Sequence, residues 1–131
     1  MLPFLLIALL IVWFEFIFRE IKQPNEPVNK TIDWKLLSAN PTAVPFLEMN
    51  MDKINWSWLS LNPNAIHLLE AHPERINWMY LSANPKAIPL LEANIDKINW
   101  TFILQNYNAM HLIEKYREKV NWNEVTYMIQ P

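Results

Sequence analysis

A 22-residue period runs through most of the chain and constrains its fold more than any other feature. An Ile-Asn-Trp triplet or a close variant of it recurs in phase and without gaps, with its tryptophans at Trp34, Trp56, Trp78, Trp100 and Trp122. Self-similarity at a fixed period of this length is typical of stacked arrays, in which each repeat buries its apolar face against its neighbours. The period defines four full repeats and a half repeat, at residues 32–53, 54–75, 76–97, 98–119 and 120–131.

Each repeat contains signals for two short helices, called helix A and helix B. An asparagine directly before the tryptophan is a good N-cap, so helix A is predicted to start at the tryptophan. An Asn-Pro pair follows, for example Asn62-Pro63. With asparagine as N-cap and proline as first helical residue, this pair predicts the start of helix B. The predicted caps are Asn55, Asn62, Asn77, Asn84 and Asn99.

The composition favours short helices over strands. Glycine is absent and there are ten prolines, so other residues must form the turns. Asparagine tolerates the left-handed backbone conformation better than most residues, and we expect it to take the place of glycine at the corners. Helices this short are unstable in isolation, so packing between repeats must hold them. The sequence predicts an all-α fold, a short α-solenoid of two-helix repeats behind an N-terminal apolar helix.

The N-terminus carries that apolar segment. Residues 2–18 are apolar except for Glu15, and at 1.5 Å per residue they reach about 25 Å, slightly short of a ~30 Å hydrocarbon layer. Positive charges follow the segment, which favours a cytoplasmic repeat domain. We therefore predict a membrane anchor at residues 1–22 and a linker at 23–31. The alternatives are a cleaved signal peptide and a soluble helix that covers the repeats.

The repeat also resembles a known group of sequences. The unit Ile-Asn-Trp-x-x-Leu-Ser-x-Asn-Pro-x-Ala-Ile-x-Leu-Leu-Glu is clearest at residues 54–70 and 76–92. It resembles tandem repeats in uncharacterised proteins of giant DNA viruses that infect amoebae and algae. The resemblance covers residues 32–122. It implies a viral repeat protein, located in a host cell or a virion, and it transfers no catalytic residue.

A row of in-phase glutamates is the main polar pattern, at Glu48, Glu70, Glu92 and Glu114. One hypothesis is that each carboxylate accepts from the free N–H groups that open an adjacent helix A. The other is a solvated face on which each glutamate pairs with a basic residue of the repeat corner, the turn that ends each repeat. These basic residues are Lys53, Arg75, Lys97 and Lys119.

Other polar residues give no indication of catalysis. The net charge of −2 and the scattered basic residues argue against a nucleic-acid partner. The three histidines, His67, His72 and His111, are too few and too far apart for a metal site. The in-phase serines have no nearby His and Asp and are interpreted as small residues at a helix contact, at Ser38, Ser60 and Ser82. No enzymatic activity, cofactor or small-molecule substrate is predicted.

Two aromatic rows remain. The five in-phase tryptophans stand beside Ile and Leu, so we expect them in the structural core and not on an exposed stacking platform. Trp58, Tyr80 and Phe102 form a second row, which either packs in the core or forms a partly exposed stripe for a protein partner. We expect a membrane-tethered scaffold for protein–protein interaction. The alternative is a structural component of a viral particle or assembly site that packs against itself or a coat protein.

Overall fold

A computed structural model describes residues 31–128, and the chain divides into residues 1–31 and 32–131. Within residues 31–128 every regular element is a helix and no strand is present, so the prediction of an all-α fold is confirmed there. The predicted anchor and nearly all of the linker lie outside the described residues. Among the helices that are described, none has the length and apolar character required to span a bilayer.

Each repeat contributes a helix A and a helix B, both short. The A helices are α1 (Trp34–Ala39), α3 (Trp56–Leu59), α5 (Trp78–Ser82) and, in repeat 4, the 3₁₀ turn Phe102–Gln105. The B helices are α2 (Val44–Glu48), α4 (Ile66–Ala71), α6 (Ile88–Glu92) and α7 (Met110–Lys115), and α8 (Trp122–Met128) belongs to the half repeat. Further 3₁₀ turns are Pro41–Ala43, Met51–Lys53, Pro73–Arg75, Ile95–Lys97 and Arg117–Lys119.

Helix A starts at the tryptophan, as the sequence predicts, in repeats 1 to 3, whereas in repeat 4 the 3₁₀ turn starts two residues after Trp100. Asn55 Oδ1 accepts from the N–H of the third residue after it, at 3.2 Å, and Asn77 Oδ1 does the same in the next repeat. Asn99 Oδ1 accepts from the N–H groups of Thr101 and Phe102, at 3.1 and 3.0 Å, although the segment that follows is a 3₁₀ turn. These side chains satisfy donors that the first helical turn leaves free.

Helix B starts later than the Asn-Pro pair predicts. The helices α4 and α6 begin at Ile66 and Ile88, and neither has a side-chain cap. Asn62 and Asn84 therefore do not cap helix B. Their Oδ1 atoms instead accept from the N–H two residues on, at 3.0 and 3.1 Å, which closes a tight turn before the helix.

No described residue has a positive φ angle. The expectation that asparagine replaces glycine in left-handed positions is therefore wrong for this part of the chain. The corner residues Asn50 and Asn94 have φ of −136° and −138°, and each is followed by a 3₁₀ turn. Because such corners need no left-handed residue, the repeats can fold without glycine.

The core is a row of aliphatic side chains contributed by the same positions of successive repeats. Helix A supplies a fully buried residue, at Leu59, Leu81 and Ile103. Helix B supplies another, at Leu47, Leu69 and Leu91, and the residue before helix B is a fully buried alanine at Ala65, Ala87 and Ala109. Burial of these apolar side chains supplies most of the free energy that stabilises such short helices.

The in-phase tryptophans lie at the edge of this core and are not enclosed by it. Four of them are half-buried and pack against the core, and Trp122 is 44% exposed. Cations of the following corner cover two of the rings: Arg75 lies 5.0 Å from the Trp56 ring centroid and Lys97 lies 4.9 Å from that of Trp78. The first helical residue faces this corner, which is why these indoles contact both the core and a cation.

Candidate functional site

Buried serines join each of the first three repeats to the next. Ser60 Oγ donates to the carbonyl of Trp56 at 2.9 Å and accepts from the N–H of Asn77 at 3.0 Å. The serines at the same place in repeats 1 and 3 make the same pair of bonds to their own neighbours. The interpretation as small contact residues was incomplete, because each hydroxyl also accepts the N–H of the residue that caps the next helix A.

Buried asparagines form a second connection beside the serines. Asn84 Nδ2 donates to the carbonyls of Ser60 and Asn62 in the preceding repeat, at 2.9 and 3.1 Å. Asn62 and Asn106 make the equivalent pairs of bonds, at 2.8 to 3.0 Å. The amide group has two hydrogens and so satisfies two buried carbonyls at once. Every buried polar side-chain atom in the described part of the chain has a partner.

This serine–asparagine ladder fixes the register between repeats, because a shifted repeat would leave buried carbonyls without a donor. The sequence contained one signal for it. Asn106 is present in repeat 4 although Tyr107 replaces the proline that follows it in the other repeats. If this asparagine served only as the N-cap of a helix whose first residue is proline, it would have no function in repeat 4.

The second aromatic row is continuous along the repeats. Trp58 and Tyr80 have ring centroids 6.4 Å apart, and Tyr80 and Phe102 have centroids 6.0 Å apart. All three side chains are half-buried, and the ammonium of Lys35 lies 5.2 Å from the Trp58 ring. Leu36 precedes the row at the equivalent place in repeat 1 and is exposed. The structure thus brings together the three residues that the sequence singled out.

The ring geometry narrows what the aromatic row could bind. Neighbouring rings are inclined to each other by 50° and 63°. A platform for bases or sugars needs exposed faces on which planar groups can stack, and inclined rings with half-covered faces do not provide it. The ring edges and partly covered ring faces instead suit packing against apolar side chains of a protein partner.

The structure bears out only one part of the two hypotheses for the glutamate row: all four side chains are exposed, as a solvated face requires. Glu48 Oε1 lies 2.7 Å from His67 Nε2 of the next repeat, and Glu92 Oε1 lies 2.8 Å from His111 Nε2. Within the described range none of the four glutamates accepts from a backbone N–H or pairs with a corner cation. Three of the four corner cations contact other groups instead: Lys53 pairs with Asp52, and Arg75 and Lys97 lie over indole rings.

The histidines of helix B are therefore partners of glutamates. Among the described residues there is no group of three or more His, Cys, Asp or Glu side chains that could hold a metal ion. The third histidine, His72, packs its ring against Trp56 with centroids 5.0 Å apart. Comparison with protein-family models, with curated proteins and with solved structures finds no match.

Proposed function

We propose that this chain is a membrane-tethered α-solenoid that presents its aromatic row to a protein partner. The observation that supports the proposal is the contact between the rings of Trp58, Tyr80 and Phe102, which stand one repeat apart and stay partly open to solvent. Its role would be that of a scaffold for protein–protein interaction.

The chemistry of the row suits such a role. Aromatic side chains are enriched at protein interfaces, where a few of them contribute most of the binding free energy. Each ring here is already held by its neighbours, and the buried ladder behind it fixes the spacing of the repeats. A partner would therefore lose little free energy in ordering these side chains.

The tether comes from the sequence. Residues 2–18 would insert into the bilayer, and the basic residues after them would keep the repeats on the cytoplasmic side. If the resemblance to giant-virus repeats holds, this membrane belongs to a host cell or to a virion. A surface held near a membrane meets partners at a raised effective concentration.

The test is co-purification from detergent extracts of cells that express the tagged full-length chain. Replacing Trp58, Tyr80 and Phe102 together by Ala should remove a partner that the wild-type chain retains. Phe46→Ala with Met49→Ala is the matched control, because both side chains are exposed and apolar but lie outside the row. Circular dichroism must show unchanged helix content. An unchanged set of partners with the triple variant would reject the proposal.

A second candidate is a structural component that packs against copies of itself or a coat protein. It is favoured by the exposed apolar side chains of repeat 1: Ile32 is 51% exposed, whereas Ile54 at the same place in repeat 2 is 8% exposed. Leu36, Phe46 and Met49 are also exposed. In the same experiment, two differently tagged copies that recover each other, with loss of this recovery in the Phe46/Met49 variant, would favour this candidate.

A further inference from the structure

Neighbouring repeats are not all joined in the same way. Repeat 2 reaches back to repeat 1 with two exposed side chains. Asn64 Nδ2 donates to the carbonyl of Pro41 at 3.0 Å, and His67 Nε2 lies 2.7 Å from Glu48 Oε1. Both contacts lie outside the buried ladder and add to it.

Repeat 4 reaches back to repeat 3 through the equivalent residues. Asn108 Nδ2 donates to the carbonyl of Pro85 at 2.9 Å, and His111 Nε2 lies 2.8 Å from Glu92 Oε1. The pair of an asparagine–carbonyl bond and a histidine–glutamate contact is here called the clamp. It is present at the junctions 1–2 and 3–4.

The junction between repeats 2 and 3 has no clamp. Lys86 and Pro89 occupy the two positions, and a proline side chain cannot donate to the carboxylate of Glu70. Within the described residues Glu70 forms no ion pair and Lys86 makes no side-chain hydrogen bond. The buried ladder continues through this junction, with one additional bond from Asn77 Nδ2 to Ser57 Oγ at 3.2 Å.

Other contacts follow the same two-repeat alternation. In repeats 1 and 3 a corner asparagine bonds its own helix B, with Asn50 Nδ2 donating to Phe46 O and Asn94 Nδ2 to Leu90 O. In repeats 2 and 4 a ring takes that place and packs on the in-phase tryptophan, at His72 and Tyr116. The structural unit is thus a pair of repeats.

We infer that the four full repeats form two clamped pairs, repeats 1–2 and 3–4, and that among the three junctions between full repeats the junction 2–3 opens first. In a linear array each junction contributes its own coupling, so the least connected junction opens at the lowest cost. A side chain–backbone bond and an exposed histidine–glutamate contact together change an opening equilibrium by about tenfold. The extra Asn77–Ser57 bond offsets part of this difference.

The unclamped junction between repeats 2 and 3, here called the seam, lies where it can affect binding of a partner. The aromatic row crosses it between Trp58 and Tyr80, which are the more widely separated of the two ring pairs. Opening at the seam would change the distance between these rings, so a partner that bridges them would close it. This last consequence rests on the proposed function, whereas the seam itself does not.

The chain contains three matched reporters of junction opening. The amides of Asn55, Asn77 and Asn99 each donate to the buried serine of the preceding repeat, at 2.9, 3.0 and 2.9 Å. Each stands in the same Ile-Asn-Trp sequence, so their intrinsic exchange rates are alike. In native-state hydrogen exchange of the full-length chain in detergent, the Asn77 amide should exchange several-fold faster than the Asn99 amide.

Two double substitutions test whether the clamp causes the difference in amide exchange rate. Lys86→Asn with Pro89→His installs the clamp at the junction 2–3 and should slow the Asn77 amide to about the rate of Asn99, leaving Asn99 itself unchanged. Asn64→Lys with His67→Pro removes the clamp at the junction 1–2 and should accelerate the Asn55 amide by up to tenfold. Equal exchange of Asn77 and Asn99 in the wild type, or no slowing of Asn77 on installation, would overturn the inference. Neither readout depends on a partner, so the seam and the proposed function can fail separately.

Discussion

The three junctions inside the array differ from the one at its C-terminal end. At each inner junction a buried serine accepts the N–H of the asparagine that opens the next helix A. At the last junction Leu104 stands in the place of the serine, and Asn121 is exposed. There an exposed bond from Thr101 Oγ1 to Glu124 Oε2, at 2.9 Å, connects the two segments.

The difference shows the function of the serine–asparagine ladder. A repeat covered on both sides buries backbone carbonyls that no helix satisfies, and a buried polar group without a partner is costly. Serine and asparagine supply the missing partners from the neighbouring repeat. At the last junction Asn121 is exposed, so surface bonds can replace the buried serine there.

The largest effect is expected from breaking the ladder at an inner repeat. Asn84→Ala leaves the buried carbonyls of Ser60 and Asn62 without donors and should lower the free energy of unfolding by about 3 kcal/mol. Urea unfolding followed by circular dichroism measures this. Asn40→Ala is the control, because the side chain of Asn40 is exposed and bonds only within its own turn, so about 1 kcal/mol is expected. Equal losses would mean that the ladder does not couple the repeats.

A smaller effect should sharpen the contrast at the C-terminal end. Leu104→Ser and Leu104→Ala both remove a half-buried apolar side chain, but only serine offers an acceptor for the N–H of Asn121. We expect the serine variant to be more stable than the alanine variant by about 1 kcal/mol. Intrinsic helix propensity predicts the opposite order, since alanine is the better helix former. If alanine proves more stable in urea unfolding, the half repeat does not dock in the register of the full repeats.

The smallest effect concerns the surface pairs. Glu48→Ala removes the partner of His67 and should cost about 0.5 kcal/mol, as expected of an exposed pair. Glu70→Ala at the same place in repeat 2 should cost less than Glu48→Ala, since it removes no pair. A double-mutant cycle of Glu48→Ala and His67→Ala isolates the coupling. A coupling indistinguishable from zero would leave only the Asn64 bond to clamp the junction 1–2.

The repeat pattern allowed much of the fold to be predicted, and the failures have particular causes. The period gave the repeat boundaries, and the residue before each tryptophan gave the cap of helix A. The prediction from the Asn-Pro pair was wrong, because Oδ1 of Asn62 closes a tight turn and helix B starts only at Ile66. The two bonds that Nδ2 of Asn62 donates to buried carbonyls depend on the preceding repeat and leave no local signal in the sequence. The pairing of Glu48 with His67 was missed, since periodicity alone does not say which positions of adjacent helices face each other.

The aromatic row was found by register alone, because residues one repeat apart in an array lie side by side. How far these aromatic side chains are exposed could not be predicted from the register. Trp58 and Trp56 are both half-buried, yet only Trp56 packs on the hydrophobic core.

By itself the sequence determined that the described part of the chain is all-helical and where its helix A caps lie, because local backbone preferences and apolar periodicity act within a few residues. Only the tertiary structure decided which polar side chains satisfy the backbone of the next repeat and which repeats are clamped in pairs. Those contacts join residues 17 to 24 positions apart, and their formation depends on how neighbouring repeats pack.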